Sequence, residues 1–246
     1  MVRKSVVAII QARMQSTRLP GKVLCDLGGR TMLARVVRRT VRAKLIDEVV
    51  VATSRRDVDN PIVDQCNKLG VACFRGSEHD VLDRYYQAAV AHRADVVVRI
   101  TSDCPLIDPE VSDRVIRAFL EMEPDYASNI LHRTYPRGLD TEVMTVDSLA
   151  RAWRDAKQPY QRTHVTPYLY QHPEQFILLP VIGREDHSAN RWCVDAPDDL
   201  DFLRAIYQRL GPDDTFSWRD VCRLIDEEPL LAELNREVRQ KHLVEG

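Results

Sequence analysis

The 246-residue chain has no apolar stretch near the ~20 residues a bilayer-spanning helix needs, so no membrane insertion is expected. Its early apolar run, 6–10, follows Lys4 but gives way at Gln11, too soon for a secretory signal. Cys25, Cys66, Cys73, Cys104, Cys193 and Cys222 include no Cys-x-x-Cys pair and no Cys/His cluster at zinc spacing. Buried, reduced thiols in a cytoplasmic protein are the expectation. Lysine is scarce: six of the 35 basic residues are Lys, so arginine is the default cation and any single Arg is weak evidence of a site. A net charge of -2 gives no reason to expect nucleic-acid binding. No Gly-x-Gly-x-x-Gly follows the first apolar run, which disfavours a dehydrogenase. No Asp-x-Asp follows the run 96–100, which counts against a glycosyltransferase.

What is present is an alternation of apolar strands and amphipathic helices, in a chain long enough for one large core or one core with a small appendage. The run Val6-Val7-Ala8-Ile9-Ile10, branched on both faces, suits a strand buried on both sides. A helix is expected over 31–43, with Met32, Val36, Val37 and Val41 inside and its arginines outside. A strand over 48–52, a helix over 61–69 ended by Gly70, a strand over 71–74 and a helix over 81–92 follow. Next come a strand over 95–100 and a helix over 109–122. The pattern is a doubly wound α/β layer with a mostly parallel sheet, in one domain covering 1–246. Residues 126–144 read as strand-like pieces with turns. Helices are expected over 148–156, 163–170 and 197–210, the last capped by Asp195 or nearby carboxylates. Short strands are expected over 176–181 and 191–194. The tail, 212–246, reads as two helices over 221–227 and 230–241.

The first strand ends in a loop carrying Arg13, Ser16, Thr17, Arg18, Gly21 and Lys22. Two guanidiniums, an ammonium and backbone N–H groups at the carboxyl end of a parallel strand can seat a polyphosphate; a merely basic surface loop is the plainer alternative. Asp103 follows the run 96–100 at once. Near a triphosphate such a carboxylate would hold Mg²⁺, though Asp-Cys-Pro can equally cap a turn. Asp195 repeats the arrangement after 191–194 and could share the same ion, while Asp198 and Asp199 suit the first turn of a helix. The stretch 137–143, Arg-Gly-Leu-Asp-Thr-Glu-Val, reads by itself as a turn entering a strand.

QARMQSTRLPGKVL, followed by Gly28-Gly29 and a helix, is similar to the nucleotide-binding signature of the sugar-activating cytidylyltransferases. These include the CMP-Kdo synthetases, the acylneuraminate cytidylyltransferases and the spore-coat polysaccharide biosynthesis protein F branch, which the chain resembles most, over about 6–210. Gln15, Ser102 and Ala196 depart from the pattern, standing where a smaller residue, a glycine and a threonine are usual. The resemblance implies a nucleotide-diphospho-sugar transferase-like fold, a Rossmann variant in which about 126–185 shapes the sugar pocket and a homodimer contact. Nucleotide binding would fall to Gln11, Ala12, Arg13, Ser16, Arg18, Lys22, Ser77 and Arg84. Tyr135, Arg137, Asp140, Glu142 and His164 would face the sugar. Arg13, Lys22, Asp103 and Asp195 would be catalytic, the two aspartates holding Mg²⁺. The implied reaction joins CTP and an acidic sugar of the Kdo or nonulosonate type to give a CMP-sugar and pyrophosphate, for surface polysaccharide biosynthesis. Transfer to a sugar 1-phosphate and a non-catalytic nucleotide-binding protein stay open as alternatives.

Overall fold

The computed structural model describes residues 3–240. Its strands are β1 (Val6–Gln11), β2 (Glu48–Ser54), β3 (Ala72–Gly76), β4 (Val96–Thr101), β5 (Tyr126–Ser128), β6 (Glu142–Thr145) and β7 (Leu178–Pro180). They form one seven-stranded sheet in the order β3-β2-β1-β4-β6-β5-β7. Four strand pairings are parallel, and the two made by β6 are antiparallel. The helices are α1 (Met32–Thr40), α2 (Asn60–Leu69), α3 (Val81–Ala91), α4 (Pro109–Met122), α5 (Val146–Asp155), α6 (Pro159–His164), α7 (Pro167–Tyr170), α8 (Pro197–Leu210), α9 (Trp218–Glu227) and α10 (Leu230–Glu233).

The unbroken apolar run of β1 is explained by cover on both faces. Val6, Ala8 and Ile10 pack with residues of α1, α2 and α4. Val7 and Ile9 pack with residues of α3, α5 and α7. A third cluster, built on Trp192, Phe202 and Trp218, joins α8 and α9 to the start of α1. Among the described residues no helix is long and apolar enough to cross a membrane.

The structure differs from the sequence reading in several places: the helix expected over 31–43 ends at Thr40, so Val41, expected inside, falls past its end and is 56% exposed. The arginines of α1 are not all outside: Arg35 and Arg39 are fully buried. Arg35 donates to the carbonyls of Leu27 (2.7 Å) and Gly28 (2.7 Å) and pairs with buried Asp214 at 3.1 Å. Arg39 donates to the carbonyls of Ile107 (2.7 Å), Asp214 (3.2 Å) and Phe216 (3.0 Å). Their charge is tolerated because each guanidinium is filled with acceptors.

The helix expected over 163–170 is two helices, because Val165 takes a left-handed φ of 74° with its side chain buried, and Pro167 opens the next turn. The strand expected over 191–194 reduces to one bridge, Arg137 with Arg191. In the tail, α9 starts earlier than expected, at Trp218, where the Ser217 hydroxyl accepts from the Asp220 amide. The last helix stops at Glu233, and Lys241, its expected end, lies outside the described residues.

Candidate active site

The sheet order changes direction between β1 and β4, so a crevice opens at their carboxyl ends, where open α/β proteins bind ligands. The loop after β1 is folded back on itself. Ala12 donates to the carbonyl of Ala52 at 3.1 Å, the Met14 amide donates to Asp59 Oδ1 at 2.8 Å, and the Gly21 amide returns to the carbonyl of Met14 at 2.7 Å. Gly21 adopts a left-handed φ of 73°, and a short 3-10 turn, Lys22–Leu24, follows. The reversal sinks Lys22 into the protein, where it is buried, and leaves Arg13 exposed.

Lys22 is where three distant segments meet. Its Nζ donates to Asp103 Oδ2 at 2.9 Å, Asp195 Oδ1 at 3.2 Å and the Val194 carbonyl at 2.5 Å. Arg18 and Arg191 reach Asp195 Oδ2 at 3.0 and 2.7 Å. The segments are also stitched through backbone, since the Val194 amide donates to the Asp103 carbonyl at 2.8 Å. Burial by itself would lower the Lys22 pKa, but Asp103 and Asp195 together raise it above the ordinary value, so the ammonium stays charged. Burial likewise opposes ionisation of Asp103, and the Lys22 charge and hydrogen bond outweigh it, bringing the carboxyl down to about 2. Behind this cluster the Cys104 and Cys193 thiols are buried and pushed up, first by burial, and stay protonated.

Asp195 is free for this role because it does not cap α8. Ala196 is the cap residue, and Asp199, fully buried, accepts the amides of Asp195 (2.8 Å) and Ala196 (3.0 Å) from the first turn. Asp199 also holds Arg191 Nε at 3.0 Å.

The turn 133–140 packs against the Asp195 segment. Trp192 donates to the Arg137 carbonyl at 2.7 Å, and the Arg137 amide donates to the Asn190 carbonyl at 3.0 Å. Asp140 is gripped by Arg133 in a fork of 2.6 and 2.9 Å. The half-buried Arg137 guanidinium has no hydrogen-bond or ion-pair partner among the described residues.

Two expected sugar contacts are placed elsewhere. Tyr135 is 3% exposed, its ring edge-on to Trp218 at 5.6 Å. Glu142 is 1% exposed, paired with Arg99 and accepting from the Tyr126 hydroxyl at 2.5 Å. Arg99 also donates to the Gln11 side chain at 3.3 Å, so this buried pair braces the end of β1. His164, partly buried, ends α6, which packs on α3.

Of the remaining expected residues, Ala12 is buried beneath the loop and Ser16 is half-buried within it. The Ser77 hydroxyl accepts from the Asp80 amide at 3.1 Å. Arg84 is 2% exposed and donates to the carbonyls of Ser77 and Glu78. Its Nε has no partner, and burial followed by the nearby Arg13 charge lowers its pKa. Arg133, Arg191 and Asp59 have no site role in the sequence reading, and Asp199 has none beyond its place in a helix's first turn.

A family model described as cytidylyltransferase matches residues 7–213. The chain belongs to this family. It is 35% identical over 233 residues to the spore coat polysaccharide biosynthesis protein SpsF of Bacillus subtilis, covering 91% of this chain and 95% of that one. It is 33% identical over 242 residues to a 3-deoxy-manno-octulosonate cytidylyltransferase of Anaeromyxobacter sp. (strain K), covering 82% of this chain and 98% of the relative. The solved structure of a cytidylyltransferase from Leptospira borgpetersenii superposes with a TM-score of 0.90 at 32% identity, covering 98% of this chain and all of that one. A cytidylyltransferase is a nucleotidyltransferase, and the doubly wound sheet is the fold these relatives lead one to expect.

Proposed function

We propose that the chain transfers the cytidylyl group of CTP to an acidic sugar of the Kdo or nonulosonate type, giving a CMP-sugar and pyrophosphate for surface polysaccharide biosynthesis. The observation that carries this reading is the convergence of Asp103 and Asp195 on the Lys22 ammonium. The similarity to a 3-deoxy-manno-octulosonate cytidylyltransferase supports an acidic acceptor, and the similarity to SpsF supports a role in polysaccharide biosynthesis.

A divalent ion suits these residues. Asp103 Oδ2, Asp195 Oδ1 and the Val194 carbonyl are hard oxygens already gathered around one cation, the Lys22 ammonium. Among the described residues no three His, Cys, Asp or Glu side chains form a metal cluster. Two carboxylates completed by water and phosphate oxygens are what Mg²⁺ accepts. Held there, Mg²⁺ would neutralise charge on the phosphate oxygens.

The rest is done by the chain itself. Arg13, Arg18 and Lys22 hold the triphosphate, with Ser16 and the folded-back loop amides beside them. Gln11 and Ala12 fix the start of that loop, and Ser77 and Arg84 line the nucleoside side. Arg137, with its unpartnered guanidinium, and Asp140, oriented by Arg133, receive the acceptor, with His164 at the pocket edge. The acceptor oxygen attacks the α-phosphorus in line and pyrophosphate leaves, its developing charge met by Lys22. Positioning and charge neutralisation suffice, with no protein nucleophile.

The test is pyrophosphate release from each of four nucleoside triphosphates with Mg²⁺, against acidic sugars and sugar 1-phosphates. CTP with an acidic sugar is the expected pair; turnover with sugar 1-phosphates alone would replace the acceptor class. Asp103→Asn and Asp195→Asn are each expected to lower kcat by ~10²–10³, the loss seen when one transition-state charge contact is removed. Unchanged turnover in either removes that residue from the site.

A further inference from the structure

The cluster around Lys22 is electrically closed. Lys22, Arg18 and Arg191 stand against Asp103, Asp195 and Asp199, one cation for each carboxylate. The Lys22 side chain is only 10% exposed, so water cannot replace its three oxygen partners where it stands. An ammonium at 2.9 Å from one carboxylate and 3.2 Å from the other lies between the oxygens a divalent ion would use, and the two cations cannot share them. The cations differ in how they are held. Arg191 is anchored on buried Asp199 and to the Gln240 side chain, whereas Lys22 and Arg18 both ride on the loop after β1.

We infer that Lys22 is a placeholder cation: it holds the divalent-ion position between Asp103 and Asp195 and leaves it only for the phosphates of an arriving nucleotide. The site therefore takes its metal together with a nucleoside triphosphate and not before it. This rests on the nucleotidyl-transfer reading above and adds an order of binding to it. A triphosphate supplies the anion that Lys22 and Arg18 need in exchange for their carboxylates. Free metal supplies none, so its entry would leave a buried ammonium stranded beside it, a costly arrangement.

The test uses Mn²⁺ as the probe on the full chain without nucleotide, reading free Mn²⁺ by electron paramagnetic resonance and unfolding by heat. Wild type is expected to bind Mn²⁺ weakly and to gain no thermal stability from it. Lys22→Met should bind at least about tenfold tighter, a difference of about 1.4 kcal/mol, and be stabilised by the ion. Adding Asp103→Asn to Lys22→Met should abolish that gain, and Lys22→Arg, which keeps a cation, should stay weak. Equal Mn²⁺ affinity in wild type and Lys22→Met overturns the inference. Should Lys22→Met be unfolded in metal-free buffer, refolding on addition of Mn²⁺ supports the placeholder role and failure to refold overturns it. None of these readouts involves turnover. An absence of pyrophosphate release by wild type with every triphosphate would count against the functional reading separately.

Discussion

At the scale of single residues, the site depends on a close approach that one hydrogen atom permits. Gly138 has φ of 112°, and a Cβ there would lie 2.7 Å from the carbonyl carbon and oxygen of Trp192. That backbone leads directly into Val194 and Asp195, so the turn cannot back away without moving a carboxylate of the site. Gly138→Ala is expected to cost about 1–3 kcal/mol in urea unfolding and to lower kcat as well. Gly211→Ala is the comparison: φ is also positive, 90°, but no atom lies within 4 Å of the added carbon. It should lose stability alone, and a fall in kcat as large as that of Gly138→Ala would show that strain, not displacement of Trp192, is responsible. Asp103 and Asp195 stood out beforehand because each was expected just past an apolar strand, and Lys22 because it is a cation in the polar loop that follows the first one. Arg133 and Arg191 were not, because in a chain whose positive charge is nearly all arginine neither stands out. Tyr135 and Glu142 were expected in the pocket from the resemblance, and nothing in their own stretch shows their burial, since Tyr135 sits in an irregular turn and Glu142 opens a strand of four residues.

Among the elements, α1 shows how a helix can read as amphipathic and still bury charge. Its apolar stripe was clear, but whether an arginine beside the stripe is covered depends on a segment some 175 residues away. The 212–216 stretch provides that cover: its carbonyls and Asp214 fill the guanidiniums of Arg35 and Arg39, and the rings of Tyr207 and Phe216 lie 4.2 and 4.7 Å from them. Strands and helices up to Met122 were legible because the strands are unbroken apolar runs and the helices between them are long and periodic. The pieces after it were less so, since β5 and β7 have three residues each and the 163–170 helix breaks at a buried valine. Asp214→Asn tests the clamp. It keeps the shape but removes the charge facing Arg35 and Arg38, at 3.1 Å each, and breaking a buried pair in this way costs about 3–5 kcal/mol. The urea midpoint should fall accordingly while kcat at low temperature holds. An unfolding free energy within about 0.5 kcal/mol of wild type would mean that the carbonyls alone satisfy these arginines.

For the molecule as a whole, the question is which parts of the site the topology dictates. From β1 the chain steps outward through β2 and β3, then returns to lay β4 on the other side of β1. Two parallel neighbours end at the same level, so the loop after β1 and Asp103 after β4 are brought side by side by strand order, and the reversal at Gly21 then turns Lys22 onto Asp103. Asp195 has no such guarantee. Its segment belongs to no strand and is positioned by the 133–138 turn, by the Asp103 carbonyl and by Asp199. A ligand that engages all three should therefore tie the independent segment to the sheet. In amide hydrogen exchange, Mg²⁺ with CTP at a hundred times its Kd is expected to slow residues 12–24, 102–105 and 192–196 together. The slowing should approach ~100-fold where exchange requires the site to open, corresponding to about 2.7 kcal/mol of binding. The amino ends of β2 and β3, at the opposite edge of the strands, should be unaffected. Protection confined to 12–24 would mean that the nucleotide sits on the loop without reaching Asp195, and that Lys22 binds the two aspartates for structural reasons only.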